Sequence, residues 1–167
     1  MRFLRQLAEN TYLPDLSERG HIGHALDLGM LAGLLASSAG SIISPADLKE
    51  SFKGAGRAGI SLNTVKHCLA CLEDGFMIAK APRYDTGVRR MLGAPARYVF
   101  EDPGLCSTLR NFSVADPAGM SELAVFNELR RRGFEVYTGT AGDRVKSADG
   151  RMQRRLLEFS FAVISGD

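Results

Sequence analysis

Tryptophan is absent from the 167-residue sequence, cysteine occurs only three times, and the formal net charge is only +2. Because the overall charge is so small, any nucleic-acid role must depend on a local basic patch rather than on the whole chain. The few cysteines and the lack of a recognisable signal peptide predict a reducing, cytoplasmic setting. The longest apolar stretch, residues 28–36, is too short to cross a bilayer, so we expect no membrane partner.

The sequence also lacks the short motifs that mark common enzyme sites. It has no GxxxxGK[ST] phosphate loop, no GxSxG elbow and no HExxH pair. Residues 54–59 match GxGxxG, but a dinucleotide site needs a strand before that motif, and here a predicted helix precedes it. We therefore interpret 54–59 as a loop between helices, and we expect no cofactor, no ATP binding and no self-contained enzyme.

Metal-ligand patterns are incomplete. The CxxC pair at 68–71 would need a second pair of ligands to form a structural zinc site, and Cys106 is the only other cysteine. The pair also falls inside a predicted helix, where the helix dipole does not activate a thiol, so buried structural thiols are expected. His21 and His24 lie one turn apart without a further ligand motif. The sequence thus predicts no metal site from these residues.

Apolar residues make up 45% of the chain and charged residues 24%, which is typical of a folded globular protein. A first helix is predicted over 3–10, with an interruption at 12–15. The segment 22–38 is rich in Ala, Leu and Gly, and it predicts a helix that is apolar on most of its surface and hence buried, as Leu26, Met30, Gly33 and Leu34 indicate.

Two short amphipathic helices followed by a two-stranded ribbon occupy residues 44–102. Ser44 is a good N-cap for a helix over 45–53, and Ser61 is a good N-cap for a helix over 61–75. A stripe of apolar residues on the second helix predicts its buried side: Leu62, Val65, Leu69, Leu72 and Phe76. Gly75 is predicted to stop this helix. Strands at 77–84 and 96–101, joined through 85–87, complete an order of elements that is typical of a winged helix.

The polar residues of this segment predict a nucleic-acid contact. In a winged helix the second helix lies in the major groove and the ribbon reaches the backbone. The candidate contacts are Asn63, Thr64, Lys66, His67, Arg83, Arg89, Arg90 and Arg97. Use of the winged helix for protein contacts or internal packing remains an alternative, because Glu73 and Asp74 place negative charge at the far end of the same helix.

Asp102-Pro103-Gly104 is a turn signal that predicts a boundary between a first domain, 1–104, and a second, 105–167. The cations at 130–132 are expected to end a helix, where they suit its dipole. The second region predicts, in order, a helix at 119–132, a strand at 134–138, a loop at 141–150 and a strand at 156–163. The fold class predicted for the whole chain is α+β.

Several segments together resemble a known family: residues 12–16, 34–41, 83–85, 98–105 and 127–133. They look like the C-terminal half of prokaryotic AAA-type ATP-binding proteins, a half usually described only as a domain of unknown function. The resemblance covers about residues 10–161. In that family a P-loop ATPase domain precedes a winged helix and a domain resembling a PD-(D/E)xK nuclease, so the resemblance implies a winged-helix region followed by a truncated nuclease-like segment.

The nuclease-like pattern is incomplete in this chain. Glu122 and Glu128 match the family's helical glutamates, and residues 158–161 match its Glu-Val-Asp-Phe strand, but Ser160 stands where the aspartate belongs. A serine hydroxyl is a poor replacement for a carboxylate that holds Mg²⁺. We therefore expect a non-catalytic, winged-helix relative or fragment that binds double-stranded DNA or docks to an AAA-type ATPase domain.

Two other functions stay open. A metal-dependent nuclease would use Glu122, Glu128 and Glu158 as its carboxylates. A module devoted only to protein interaction is the other alternative, and a truncated sheet would expose an edge through which copies of the chain could pair.

Overall fold

The computed structural model describes residues 2–23, 25–85, 90–110, 117–146 and 152–164. Within these residues the chain is a mixed α+β fold with one five-stranded sheet, which confirms the predicted fold class. The helices are α1 (Arg2–Leu7), α2 (Leu13–Arg19), α3 (Ala25–Ser37), α4 (Pro45–Gly54), α5 (Leu62–Asp74), α6 (Pro103–Leu109) and α7 (Pro117–Arg131), and the strands are β1 (Ile42–Ile43), β2 (Ile78–Asp85), β3 (Arg90–Phe100), β4 (Glu135–Lys146) and β5 (Met152–Ile164).

The predicted interruption of the first helix at 12–15 is wrong. A π-helical segment, Ala8–Tyr12, joins α1 directly to α2, and Pro14 lies in the first turn of α2. Proline is tolerated there because the first N–H groups of a helix have no partner within it. The wider π turn before it lets the chain continue as a helix.

Helix α3 is buried as expected, except at its first turn. Leu28, Leu31 and Leu35 are buried, whereas Leu26 is 84% exposed and Leu34 is only partly buried. The helix has apolar residues around most of its circumference, so periodicity cannot identify the side that meets the core.

Helices α4 and α5 form as the sequence predicts. Ser44 and Asp47 make a reciprocal capping box at the start of α4, and the Ser61 hydroxyl accepts a hydrogen bond from the Thr64 N–H at the start of α5. Residues 54–59 fall in the connection that ends α4 and leads to α5, which confirms a loop rather than a dinucleotide motif. The buried side of α5 includes Val65 and Leu72, so most of its predicted apolar stripe is confirmed.

Phe76 is an exception to that stripe, because its side chain is 76% exposed. It takes a left-handed backbone conformation with a φ of 55°, which turns the chain out of α5 toward β2. Gly75 ends α5 as predicted, but its own φ is negative. Glycine is required there for space, since a Cβ atom would overlap the side chain of Leu16 on α2.

The strand order in the sheet is β1-β3-β2-β4-β5. Strands β2 and β3 are antiparallel, and β1 extends the sheet on the far side of β3. Strand β2 is shifted by one residue from the predicted 77–84, and β3 begins six residues before the predicted 96–101. Their register shifts between Ala81 and Arg83. Pro82 and Pro95 lie in this irregular stretch, where their missing N–H groups cost no ladder hydrogen bond. The predicted turn at 85–87 lies largely outside the described residues.

Strand β2 pairs on its other side with β4, in parallel. The sheet therefore joins strands from both sides of residue 104, the predicted domain boundary. The predicted loop at 141–150 is wrong for its first part, because β4 continues to Lys146 in antiparallel pairing with β5. Backbone pairing with β5 stabilises this polar, glycine-bearing stretch as a strand, whatever its local preference.

The turn predicted at 102–104 begins a short helix instead. Asp102 caps α6 through a 2.7 Å hydrogen bond from the Leu105 N–H, and Pro103 occupies its first turn. Helix α7 is then tied to the end of β3, because the Asn127 side-chain amide donates to the carbonyl oxygens of Phe100 and Glu101. None of the helices in the described ranges is long and apolar enough to cross a membrane.

Candidate functional site

The outward side of α5 carries four of the predicted nucleic-acid contacts. Asn63 and Lys66 are exposed, and within the described residues neither side chain makes a hydrogen bond or an ion pair. The Thr64 hydroxyl lies 2.8 Å from the Ser61 hydroxyl and so belongs partly to the helix cap. His67 donates from Nε2 to the carbonyl oxygen of Gly20, at 2.7 Å. Asn63 and Lys66 are therefore the two members available to an external partner.

The connection between α4 and α5 forms a concavity of about 400 Å³ next to the start of α5. Arg57 stands at its rim and hydrogen-bonds to Asp27 of α3 through Nε at 2.9 Å and Nη2 at 2.5 Å. Asp27 is buried, whereas the Arg57 side chain remains 44% exposed. Arg57 was not among the predicted contacts, because only the folded loop brings it beside the polar end of α5.

The ribbon arginines do not share one environment. Arg83 is half-buried in β2, between β3 and β4. Arg89 lies outside the described residues, and of Arg90 only the backbone position at the start of β3 is described. The prediction that Arg97 faces nucleic acid is wrong for this structure, because its side chain is only 6% exposed.

Arg97 instead forms a cluster with Glu122, one of the carboxylates that the alternative nuclease would use; the Arg97 side chain is buried and that of Glu122 is 31% exposed. Arg97 Nη1 lies 2.5 Å from Glu122 Oε2, and the guanidinium sits 5.3 Å from the centre of the Phe161 ring. The other carboxylate oxygen of Glu122 accepts a hydrogen bond from the Ser160 hydroxyl. Both oxygens of Glu122 are thus occupied, and a guanidinium supplies the positive charge beside this carboxylate.

A small cavity of about 10 Å³ lies against this cluster, lined among others by Gly40, Phe100 and Leu123. The Arg97 Nε is buried and has no hydrogen-bond partner within the described residues. The volume is about that of one water molecule. It is too small for a substrate, so the cluster is a packed connection between β3, α7 and β5.

Glu128, another carboxylate that the alternative nuclease would use, is also bound by arginines. It accepts hydrogen bonds from Arg131 at 2.8 Å and from Arg132 at 2.7 Å. These contacts, those from Arg131 first, lower the pKa of Glu128 to about 2. The third arginine of the run, Arg130, pairs with Glu101. The side chain of Glu158 lies outside the description, and no metal-binding group of three His, Cys, Asp or Glu residues occurs among the described side chains.

The cysteines are free and buried, in agreement with the prediction of structural thiols. Burial raises the pKa of Cys68 to about 11, with a smaller contribution from the neighbouring Cys71. A raised pKa keeps the thiol protonated at neutral pH, so the pair has the character of core residues rather than of a redox site. The sequence predicts no metal site at His21 and His24, and His24 lies outside the described residues.

Comparison with known proteins gives a family but no activity. A family model described as a domain of unknown function (DUF8612) matches residues 1–116, a region that contains α1–α6 and β1–β3. An uncharacterized protein of Haemophilus influenzae (strain ATCC 51907 / DSM 11121 / KW20 / Rd) is 28% identical over 136 residues, which is 81% of this chain and 34% of that protein. The chain therefore spans about a third of the length of this relative. No solved structure matches the chain. Since the family model matches more than half of its residues, the chain belongs to the family described as a domain of unknown function, DUF8612.

Proposed function

We propose that this chain is a winged-helix module that binds double-stranded DNA through the outward side of α5 and the β2–β3 ribbon. The observation that carries the proposal is the order α3-β1-α4-α5-β2-β3 with a sheet order of β1-β3-β2. A winged helix has this order, in which the helix before the hairpin is the one that reads the major groove. Asn63 and Lys66 on that helix are exposed, and neither side chain has a partner among the residues that the structure describes.

The two available side chains suit different parts of DNA. An asparagine amide can pair with the edge of an adenine, and a lysine ammonium contacts phosphate without sequence preference. Arg57, at the rim of the concavity beside α5, adds a second cation close to the helix start. The proposed contact is small, so we expect weak binding that depends steeply on salt.

The proposal is for a non-catalytic role. Glu122 and Glu128 are engaged by arginines, which leaves them poorly suited to hold Mg²⁺ for hydrolysis. Three free, buried cysteines support a cytoplasmic, reducing setting. We further propose that the module works beside an AAA-type ATPase domain; the Haemophilus relative extends well beyond the matched region, which leaves room for a further domain in that protein. An in-frame ATPase sequence in the same transcript would support that arrangement, and a separate short transcript would count against it.

Fluorescence anisotropy with a labelled duplex of about 20 base pairs, roughly two helical turns, is the direct test of DNA binding. Lys66→Ala should weaken binding to all sequences alike, whereas Asn63→Ala should change sequence preference. Arg131→Ala is a matched control, because Arg131 is exposed on α7 and already paired with Glu128. Equal loss of affinity in Lys66→Ala and Arg131→Ala, or no binding of duplex at low salt, would reject the proposal.

A further inference from the structure

The connection between α4 and α5 fixes the backbone of Arg57. At the end of α4, the Arg57 N–H donates to the Phe52 carbonyl oxygen at 2.9 Å. The Gly56 N–H donates to the Lys53 carbonyl oxygen at 3.0 Å, and Gly56 has a φ of 85°, which together make a common left-handed end of a helix. The Arg57 carbonyl oxygen in turn accepts from the Ile60 N–H at 3.4 Å. Both backbone groups of Arg57 are thus bonded, and its side chain starts from a fixed point beside the start of α5.

A buried carboxylate on α3 then fixes the side chain of Arg57. Asp27 is 4% exposed, and its Oδ1 accepts hydrogen bonds from Arg57 Nε at 2.9 Å and from Arg57 Nη2 at 2.5 Å. These two nitrogens lie along one edge of the planar guanidinium group. The guanidinium is therefore held by one edge, and α3, rather than the loop itself, sets the direction of that edge.

The remaining donors of Arg57 are left for an external acceptor. A guanidinium has five N–H donors, and among the residues that the structure describes Asp27 is the only one that binds this group. The side chain is 44% exposed, and it lies at the rim of the concavity whose wall also includes Ser61 and Thr64. Phosphate oxygens fit the fork of a guanidinium well, because two parallel N–H groups can bind two of them.

Stability alone explains this ion pair poorly. Burying the Asp27 carboxylate costs solvation energy, and a partner that is nearly half exposed returns little of it, because water screens the attraction. An apolar pair often joins two elements at least as well. What the ion pair adds is orientation, since it selects one direction for a long side chain that otherwise samples many rotamers.

We propose that Asp27 is a positioning residue, which holds the open edge of Arg57 toward a phosphate of the duplex bound on the outward side of α5. This inference rests on the proposed function, and it assigns a backbone contact that would set the position of α5 in the groove. Asp27 itself touches no DNA. It acts through Arg57, because a side chain that is ordered before binding loses less entropy when the phosphate arrives.

The first experiment replaces the carboxylate and measures duplex affinity by fluorescence anisotropy. Asp27→Asn removes one negative charge beside the DNA, so electrostatics alone predicts tighter binding. Positioning predicts the opposite. A neutral amide oxygen binds the guanidinium less strongly than a carboxylate does, so Arg57 loses its fixed direction and affinity should fall by roughly threefold to tenfold. Unchanged or tighter binding would overturn the proposal.

A double variant shows whether Asp27 acts through Arg57. Arg57→Gln should lower affinity and reduce the slope of log affinity against log salt by about 0.9, the value for one phosphate contact. Adding Asp27→Asn to Arg57→Gln should cause no further loss, because the side chain that Asp27 orients is gone. An equal loss from Asp27→Asn with and without Arg57 would overturn positioning, since the effect would then come from the fold.

The Nε–H resonance of Arg57 tests the contact in the unmodified chain, so this test does not depend on the folding of a variant. In the free protein this proton should exchange slowly with water, because it is bonded to Asp27. Saturating duplex should shift the resonance and leave the exchange slow, since the bond to Asp27 persists while the other edge binds phosphate. A resonance that duplex leaves unshifted would contradict the proposal.

The matched control is Asp15→Asn on α2. Asp15 also pairs with an arginine, Arg19, and its replacement removes the same charge. Arg19 lines a surface cavity with Asp74, at the end of α5 opposite to Ser61, so the control should not weaken duplex binding. An equal loss of affinity in Asp15→Asn and Asp27→Asn would reject the role of Asp27.

The Lys66→Ala variant separates this inference from the proposed function. Weaker binding in both Lys66→Ala and Asp27→Asn supports both. Weaker binding in Lys66→Ala alone would overturn the role of Asp27 and leave the proposed function standing. Weaker binding in Asp27→Asn alone would support the loop contact and reject α5 as the helix that reads the groove, and no binding of duplex by the unmodified chain would reject both.

Discussion

The outward side of α5 and the carboxylates of α7 use polar side chains in opposite ways. On α5, Asn63 and Lys66 are exposed and have no partner within the described structure. On α7, Glu122 and Glu128, which the alternative nuclease would use, are both bound by neighbours. A side chain without an internal partner can be exchanged between water and a ligand at little cost, whereas a bound one must first break its own contacts.

The comparison shows that residue type and spacing indicate which ligands a side chain can bind. The fold determines whether that side chain is free to bind them. Glu122 has the identity and the helical position of a metal ligand, yet Arg97 and Ser160 occupy its oxygens. Lys66 has no motif beyond its place on a helix, yet it is free to contact phosphate. The predictions below test this distinction, from the largest expected effect to the smallest.

Removing Arg97 should have the largest effect on folding. Arg97→Ala leaves Glu122 without its guanidinium partner. Breaking a buried ion pair costs about 3 kcal/mol or more, and we expect the low end of this range because the Glu122 side chain is 31% exposed. Urea unfolding of the variant and the unmodified chain measures this difference. The double variant Arg97→Met/Glu122→Leu should recover most of the loss, since no buried charge remains. If Arg97→Ala lowers the free energy of unfolding by about 0.5 kcal/mol or less, as an ordinary surface substitution does, the contact with Glu122 does not stabilise the fold as described.

Substitutions on the outward side of α5 should lower duplex affinity with little change in the free energy of unfolding. Lys66→Ala and Asn63→Ala remove no internal contact, so their free energy of unfolding should stay within about 0.5 kcal/mol of the unmodified value. Their duplex affinity should nevertheless fall, by roughly threefold to tenfold for the lysine. A large loss of stability in either variant would contradict the view that the outward side chains of α5 are available to a partner.

The titration of Glu128 tests the α7 half of the comparison, in which arginines bind the carboxylate. Its pKa is lowered from an ordinary 4.5 to about 2, so its pairing stabilises the folded state above about pH 4.5 and is lost as the pH falls toward 2. Arg131→Gln together with Arg132→Gln should bring the titration midpoint back toward the ordinary value. A carboxyl chemical-shift titration measures it, and an unchanged midpoint would show that the arginines are not the cause.

Metal addition should have the smallest effect. Mg²⁺ or Mn²⁺ should neither raise the melting temperature nor induce cleavage of DNA or RNA, because arginines already neutralise Glu122 and Glu128. Thermal melting and a gel assay with labelled duplex check this. Cleavage that Glu128→Gln abolishes would show that the remaining carboxylates suffice for a nuclease.

Sequence patterns predict where helices and strands form in this protein better than they predict which residues those elements contact. Helix α5 is predictable because Ser61 caps it and its apolar residues fall on one side. The buried side of α3 is not, because that helix is apolar almost all round. The burial of Arg97 cannot be read from a strand pattern either, since its partners Glu122 and Ser160 come from elements that are distant in sequence.

The length of β4 has a similar cause. Residues 141–146 include a glycine and charged residues, and their local preference is for a loop. Pairing with β5 overrides that preference.

The parallel pairing of β2 with β4 also sets the order in which the two edges of β2 can pair while the chain is synthesised. A nascent chain can close the β2–β3 hairpin at once, because the two strands are adjacent in sequence. The other edge of β2 must wait for β4, which emerges from the ribosome after α6 and α7. Until then β2 presents open backbone groups to any extended chain nearby, and non-local pairing of this kind is slow to form. Stalling or truncation before β4 would therefore convert β2 into a site of aggregation.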